Sequence, residues 1–84
     1  MSFLSCQRVL VKDSYSQAFG RNINRLRSER NLTQEKLAEL ADVSRRYLQE
    51  VEKGEKNPTV KIAAKLRLAL KVSWEELFKG FPLK

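Results

Sequence analysis

The chain has 84 residues, 42% of them apolar and 32% charged, which is the composition of one small soluble domain. Lysine and arginine outnumber aspartate and glutamate by 17 to 10, and the net charge of +7 favours an anionic partner, either nucleic acid or a membrane surface. The absence of histidine and the single cysteine exclude a zinc site, and no glycine-rich phosphate loop is present. We therefore expect no metal, no cofactor and no enzymatic activity. No apolar run approaches the ~20 residues of a membrane span.

The sequence divides into a short N-terminal segment, a helical domain and a tail. Residues 1–13 alternate weakly in polarity without a helical stripe, so an edge strand, an extended arm and a frayed terminus all remain open. From residue 14 onward, apolar residues recur at intervals of three and four residues, which is the period of amphipathic helices. We predict an all-α domain over 14–80 and a tail at 81–84.

Capping residues divide this domain into five predicted helices. The first helix ends at Asn31, since asparagine tolerates left-handed backbone. Hydroxyl side chains accept hydrogen bonds from the first free N–H groups of a helix, and they precede each later helix. These predicted caps are Thr33, Ser44, Thr59 and Ser73. The predicted ranges are about 15–30, 33–41, 44–53, 60–70 and 74–78.

The second and third predicted helices are joined by a short break at Asp42-Val43, which is the arrangement of a helix-turn-helix. Ala38 provides the small side chain that close approach of the two helices requires. Val43 and Leu48 are expected to attach the turn and the third helix to the core. The inner face of the second helix is predicted to consist of Leu37, Ala38, Leu40 and Ala41.

Two segments resemble the Xre family of DNA-binding domains, namely LTQEKLAELADVSRRYLQEVEKGEKNPTV and LALKVSWEELF. This family includes the lambda-type phage repressors, Cro and the controller proteins of restriction–modification systems. The similarity runs from about Phe19 to Phe78, and its motifs are specific in combination: Leu-Thr-Gln, Glu-x-Gly and Asn-Pro-Thr. The resemblance implies a five-helix, lambda-repressor-like domain that dimerises and reads the DNA major groove as a transcriptional regulator.

The resemblance also implies roles for individual residues. Base edges would be contacted by residues at the start of the third helix, which here are Ser44, Arg45, Arg46 and Gln49. The DNA backbone would be contacted by Gln34, Tyr47, Lys53, Lys56, Asn57, Arg25 and Arg21. The chemistry agrees, because arginine can bind guanine O6 and N7 together and glutamine can do the same for adenine. Backbone contacts position a protein, whereas base contacts specify the sequence.

Other residues are expected to be structural. The resemblance implies that Arg27 and Glu52 form an ion pair between the first and third helices, so that truncating either would damage folding. The C-terminal apolar residues could belong to the core, but a small domain cannot hide all of them, and the resemblance implies a dimer contact around the fifth helix. We therefore favour a dimer interface there over a purely core role. Its predicted members are Trp74, Leu77, Phe78 and Phe81. Lys71 stands where the family commonly has glycine, which predicts strain or an altered angle between the last two helices.

Positive charge is not concentrated on the helix-turn-helix. Residues 1–31 contain six basic and two acidic groups, residues 32–58 five and six, and residues 59–84 six and two. Within the third helix, the arginine pair precedes the two glutamates. This polarity fits a helix whose N-terminal end enters the groove.

The sequence thus predicts a cytoplasmic, nucleoid-associated regulator that binds a near-palindromic double-stranded DNA operator as a homodimer. The two recognition helices would lie ~34–36 Å apart. We expect no membrane partner and no small-molecule ligand. The alternative is a protein–protein module, such as an antitoxin or adaptor, that uses its apolar C-terminal end to hold a partner. The Arg45-Arg46 pair favours DNA binding over this alternative.

Overall fold

The structure of the protein is a computed structural model that describes residues 14–81. Those residues form five α-helices and no strand, which confirms the predicted all-α, five-helix fold. The helices are α1 Ser14–Glu29, α2 Gln34–Ala41, α3 Arg45–Glu52, α4 Val60–Leu70 and α5 Trp74–Leu77. The expectations for residues 1–13 and for residues 82–84 of the tail lie outside the described residues.

Each helix from α2 to α5 begins after a hydroxyl residue with extended backbone. The side-chain oxygen accepts a hydrogen bond of 3.0–3.2 Å from the backbone N–H three residues further on. These bonds satisfy donors that a helix leaves free in its first turn. The four residues are Thr33, Ser44, Thr59 and Ser73, as predicted.

Three helices end at a residue with left-handed backbone that is not glycine. Asn31 follows α1 with φ 55°, Asp42 follows α2 with φ 59° and Lys71 follows α4 with φ 58°. Short polar side chains tolerate this conformation, whereas the Cβ of a lysine is strained in it. Lys71 therefore adopts the conformation that a glycine would adopt without strain.

The core forms where α1 packs against α3 and where α2 packs against α3 and α4. Ile23, Leu37, Leu48 and Leu66 have no exposed surface there. Gly20 allows α1 to approach α3 closely, because a Cβ at this position would meet the backbone carbonyl oxygens of the last α3 residues. The C-terminal end of α3 is thereby held directly against α1.

Two apolar residues lie elsewhere than the sequence predicted. The predicted inner face of α2 includes Leu40, but 51% of its surface is exposed. The predicted dimer interface includes Leu77, but this residue is fully buried because α5 packs onto α1. The buried side chain of Asn22 fixes this packing by donating hydrogen bonds to the carbonyl oxygens of Leu77 (2.7 Å) and Lys79 (2.8 Å). Leu77 therefore belongs to the core.

Candidate nucleic-acid interface

The turn between α2 and α3 is fixed by its own backbone. The N–H of Val43 donates to the carbonyl of Ala38 at 3.0 Å, and the left-handed Asp42 reverses the chain. Ala38 and Leu48 are buried on either side of the turn, so the two helices pack against each other. This packing leaves the N-terminal end of α3 facing outward.

An open groove runs along the outer side of α3. Its lining consists of Arg45, Arg46, Gln49, Glu50, Lys53 and Glu55. The groove brings together three of the four predicted base-contacting residues. Ser44, the fourth, caps the same helix: its Oγ accepts the N–H of Tyr47 at 3.0 Å and keeps its own proton for a further acceptor.

The arginines at the start of α3 are only weakly held. Arg46 is 87% exposed, and its Nε lies 3.5 Å from Glu50 Oε2. Exposed pairs at this helical spacing stabilise a protein by only ~0.3–0.5 kcal/mol. No ion pair of Arg45 is found among residues 14–81. Both side chains can therefore turn towards a ligand at little cost.

The opposite end of α3 is held by a buried network around Glu52, whose side chain is 4% exposed. Arg27 Nε donates to Glu52 Oε2 at 2.8 Å, forming the ion pair that the resemblance implied. Gln34 Nε2 and Asn24 Nδ2 donate to Glu52 Oε1 at 2.9 Å and 3.1 Å. The network thus ties α1 and the first turn of α2 to the end of α3.

Glu52 remains charged in this setting. Burial alone would raise the pKa of its carboxyl group, but hydrogen bonds from Arg27, Gln34 and Asn24 outweigh burial and hold the pKa below its ordinary value. Sequence reasoning missed Asn24, because an asparagine on an exposed helix face carries no local signal. Its only clue is its position three residues before Arg27, on the same side of α1.

The candidate backbone ligands occupy different surroundings. Lys53 lies in the groove and Lys56 at its edge, where Lys56 Nζ is 3.8 Å from Glu50 Oε1.

The other candidates lie outside the groove. Tyr47 is half-buried against the core, and its pKa is raised mainly by burial and further by the charge of Glu50. Gln34 lies in the Glu52 network, and the remaining exposed candidates are Asn57 and Arg21.

Arg25 is the candidate that the structure does not bring near α3. Its guanidinium pairs with Glu29 at 3.4 Å and with Glu76 of α5 at 3.6 Å. The neighbouring residue Asn24 faces α3 instead, so successive residues of α1 point to different partners. A phosphate contact by Arg25 requires it to leave these two carboxylates.

A cluster of aromatic rings covers α5 and the residues after it. Trp74 and Phe78 stack at 5.9 Å with 9° between their planes, and Phe78 meets Phe81 edge-on at 5.0 Å. Trp74 and Phe78 are 41% and 40% exposed. On α1, Asn22 faces this cluster while Gly20 faces α3, so the aromatic cluster and the groove lie on different sides of α1.

Three further features of residues 14–81 concern metal binding, membrane insertion and cavities. No group of three or more metal-ligating side chains is present in this part of the chain. None of its helices has the length and apolar character that crossing a membrane requires. An apolar cavity of about 200 Å³ lies between α1, the start of α4 and the aromatic cluster, away from the α3 groove.

Two short helices joined by a fixed turn, with the outer side of the second helix open to a ligand, form the arrangement of the helix-turn-helix class of DNA-binding domains. A family model described as helix-turn-helix (HTH_3) matches residues 23–77. The chain belongs to this Xre-type family. It is thus a DNA-binding transcriptional regulator by family, and the family is not a class of enzymes.

Relatives of several kinds share this domain. The chain is 45% identical over 58 residues to y4dJ of Sinorhizobium fredii (strain NBRC 101917 / NGR234), which is named an uncharacterized HTH-type transcriptional regulator, covering 69% of this chain and 75% of the relative. The restriction-modification controller protein C.AhdI from Aeromonas hydrophila is 36% identical with a TM-score of 0.73, covering 75% of this chain and 96% of that one. The clp gene regulator ClgR from Corynebacterium glutamicum is 28% identical with a TM-score of 0.76, covering 81% and 87%.

Proposed function

We propose that the protein binds a specific, near-palindromic operator as a homodimer, with the N-terminal end of each α3 in the major groove. The observation that carries this proposal is that the exposed Arg45 and Arg46 and the half-buried Gln49 line one groove together. Their side chains are the types that recognise guanine and adenine edges. Ser44 adds a hydroxyl donor at the N-terminal end of α3, which is the end that would enter the major groove.

Affinity would come from contacts that flank the base-reading residues. Lys53 and Lys56 lie beside the groove, where their ammonium groups can reach phosphates. Gln34 donates to Glu52 and leaves one amide proton for a phosphate, so it would brace α3 and contact DNA at once. Further backbone contacts are proposed for Tyr47, Asn57, Arg21 and, once released from its carboxylates, Arg25.

The exposed aromatic cluster supports the homodimer. Trp74 and Phe78 present stacked, exposed rings to solvent and Phe81 meets Phe78 edge-on, and exposed apolar clusters of this kind mark association surfaces. Pairing through this cluster would leave the α3 groove uncovered, because the two lie on different sides of α1. Two-fold pairing would then place two recognition helices on one face of the DNA, ~34–36 Å apart. A protein with this role works where the DNA is, in the cytoplasm.

Selection of bound sequences from a random duplex pool at physiological salt tests this function. We expect the wild-type protein to enrich a two-fold symmetric motif, because two identical helices read two half-sites. The matched control is the Arg45→Ala, Arg46→Ala double variant, which should keep the fold because both side chains are exposed, and which should enrich no consensus. Retention of DNA by the wild type without any consensus would contradict the proposal. It would favour the protein–protein alternative, in which the aromatic cluster holds a partner.

A further inference from the structure

Glu50 places a negative charge inside the candidate DNA interface. Its carboxylate lies 3.5 Å from Arg46 Nε and 3.8 Å from Lys56 Nζ, and its side chain is only 28% exposed. It also lines the α3 groove beside Arg45 and Gln49. A carboxylate in this position competes with DNA phosphates for the same two cations.

We propose that Glu50 is a specificity-determining residue. In the free protein it pairs with Arg46 and Lys56, and it lowers the affinity for DNA that can contact these residues only through phosphates. The inference rests on the proposed function and deepens it. DNA of any sequence brings phosphate charge towards this carboxylate, and like charges at short range repel. A repulsive element of this kind produces selectivity by weakening the wrong complexes more than the right one.

On the operator, base edges offset this repulsion. Arg46 can leave Glu50 for guanine O6 and N7, which form two hydrogen bonds with one guanidinium group. Glu50 itself can accept a hydrogen bond from the N4 amino group of cytosine, the one DNA base-edge donor that carboxylates commonly recognise. In DNA that lacks this guanine and cytosine at the right positions, Glu50 loses its ion pairs without gaining a hydrogen-bond donor, and binding is weaker.

The other acidic groups near α3 are not placed for this role. Glu52 is buried and bound by three donors, so it cannot turn to DNA. Glu55 lines the same groove but is exposed, and no ion pair of its carboxylate is found among residues 14–81. Glu50, by contrast, acts on several candidate ligands at once. It pairs with Arg46 and Lys56. The pKa of Tyr47 is raised mainly by burial, and the charge of Glu50 raises it further.

The matched pair Glu50→Gln and Glu55→Gln separates this role from a general effect of net charge. Both variants remove one negative charge from the groove and preserve the shape of the side chain. Affinities are measured for the selected operator and for a scrambled duplex of the same composition, over a series of salt concentrations. Thermal unfolding of each variant shows whether it is folded, and Glu50→Ala provides a second variant at the same position.

We expect Glu50→Gln to raise affinity for the scrambled duplex by roughly tenfold, because the freed cations gain phosphate contacts. Operator affinity should rise by much less, because the same change weakens the contact between residue 50 and cytosine. The ratio of operator to scrambled affinity therefore falls, and Glu50→Ala should lower it as well. Glu55→Gln should raise both affinities equally and preserve the ratio.

Two results would overturn the inference: an unchanged ratio in both Glu50 variants, or an equal fall in Glu55→Gln. A wild-type protein that does not discriminate between the duplexes would instead overturn the proposed function, and this inference with it. The failures are therefore distinguishable by the wild-type ratio alone.

Discussion

The two ends of α3 differ in almost every physical property. At the N-terminal end, Arg45 and Arg46 are exposed and make at most one weak ion pair. At the C-terminal end, Glu52 is buried and receives hydrogen bonds from two other helices. One end can exchange partners, while the other fixes where the helix lies. A recognition helix needs both, since side chains can only read bases from a backbone that is held in place.

The largest effect should follow from breaking the anchored end. Glu52→Ala leaves the Arg27 guanidinium partly buried without its carboxylate, and removing one member of a buried pair costs about 3 kcal/mol. Urea unfolding followed by circular dichroism measures this loss. Glu55→Ala, at an exposed position, should change stability by less than ~0.5 kcal/mol. Equal losses in the two variants would mean that the network does not anchor α3.

A second way to disturb this end is Gly20→Ala. The added Cβ would meet backbone carbonyl oxygens of α3, so one helix must shift. We expect a net loss of about 1–2 kcal/mol, because overpacking outweighs the gain in helix propensity. Ser28→Ala, at an exposed position of the same helix, should be neutral or slightly stabilising. A Gly20→Ala protein as stable as wild type would contradict the close approach of α1 to α3.

Lowering the pH should also destabilise the protein mainly through the anchored, C-terminal end of α3. The pKa of Glu52 is lower in the folded protein than its ordinary value of 4.5, so its contribution to stability is present above that value. The contribution is lost as the pH falls from 4.5 through the lower pKa of the folded state. Unfolding free energies of wild type and Glu52→Gln should therefore converge on acidification. Parallel pH profiles for the two proteins would show that Glu52 is not held ionised by its neighbours.

The smallest expected effect lies outside α3. Lys71→Gly should stabilise the protein by about 0.5–1 kcal/mol, because glycine adopts the left-handed conformation without strain. Lys61→Gly, inside α4, should instead cost about 1 kcal/mol. Operator affinity should be unaffected in both. Destabilisation by Lys71→Gly would mean that the lysine side chain has a stabilising contact that outweighs the strain.

The sequence predicted well what depends on local chemistry. Thr33 and Ser44 were identified as helix caps because a hydroxyl group needs only the backbone three residues away. Asn31 was identified as a helix end for a similar reason, since its preference for left-handed backbone is intrinsic. Such features are decided within one turn of chain.

What sequence reasoning missed depends on packing between helices. Leu77 belongs to a helix of four residues, which is too short for its period to show which side is buried. Leu40 fits an apolar stripe of α2, yet the packing of residues 14–81 leaves 51% of its surface exposed. Gly20 and Asn24 act only through their contacts with the end of α3, about thirty residues further along the chain. The base-contacting roles stay predictions, because side-chain exposure alone does not identify a DNA sequence.

The most direct test of the account compares the affinities of Arg45→Ala and Arg46→Ala for the selected operator and for a scrambled duplex, by fluorescence anisotropy. We predict that each variant unfolds like wild type and loses about 1–3 kcal/mol on the operator, with a smaller loss on the scrambled duplex. The affinity ratio should then fall for both. If both variants keep the wild-type ratio, the exposed end of α3 does not read bases, and the account is wrong.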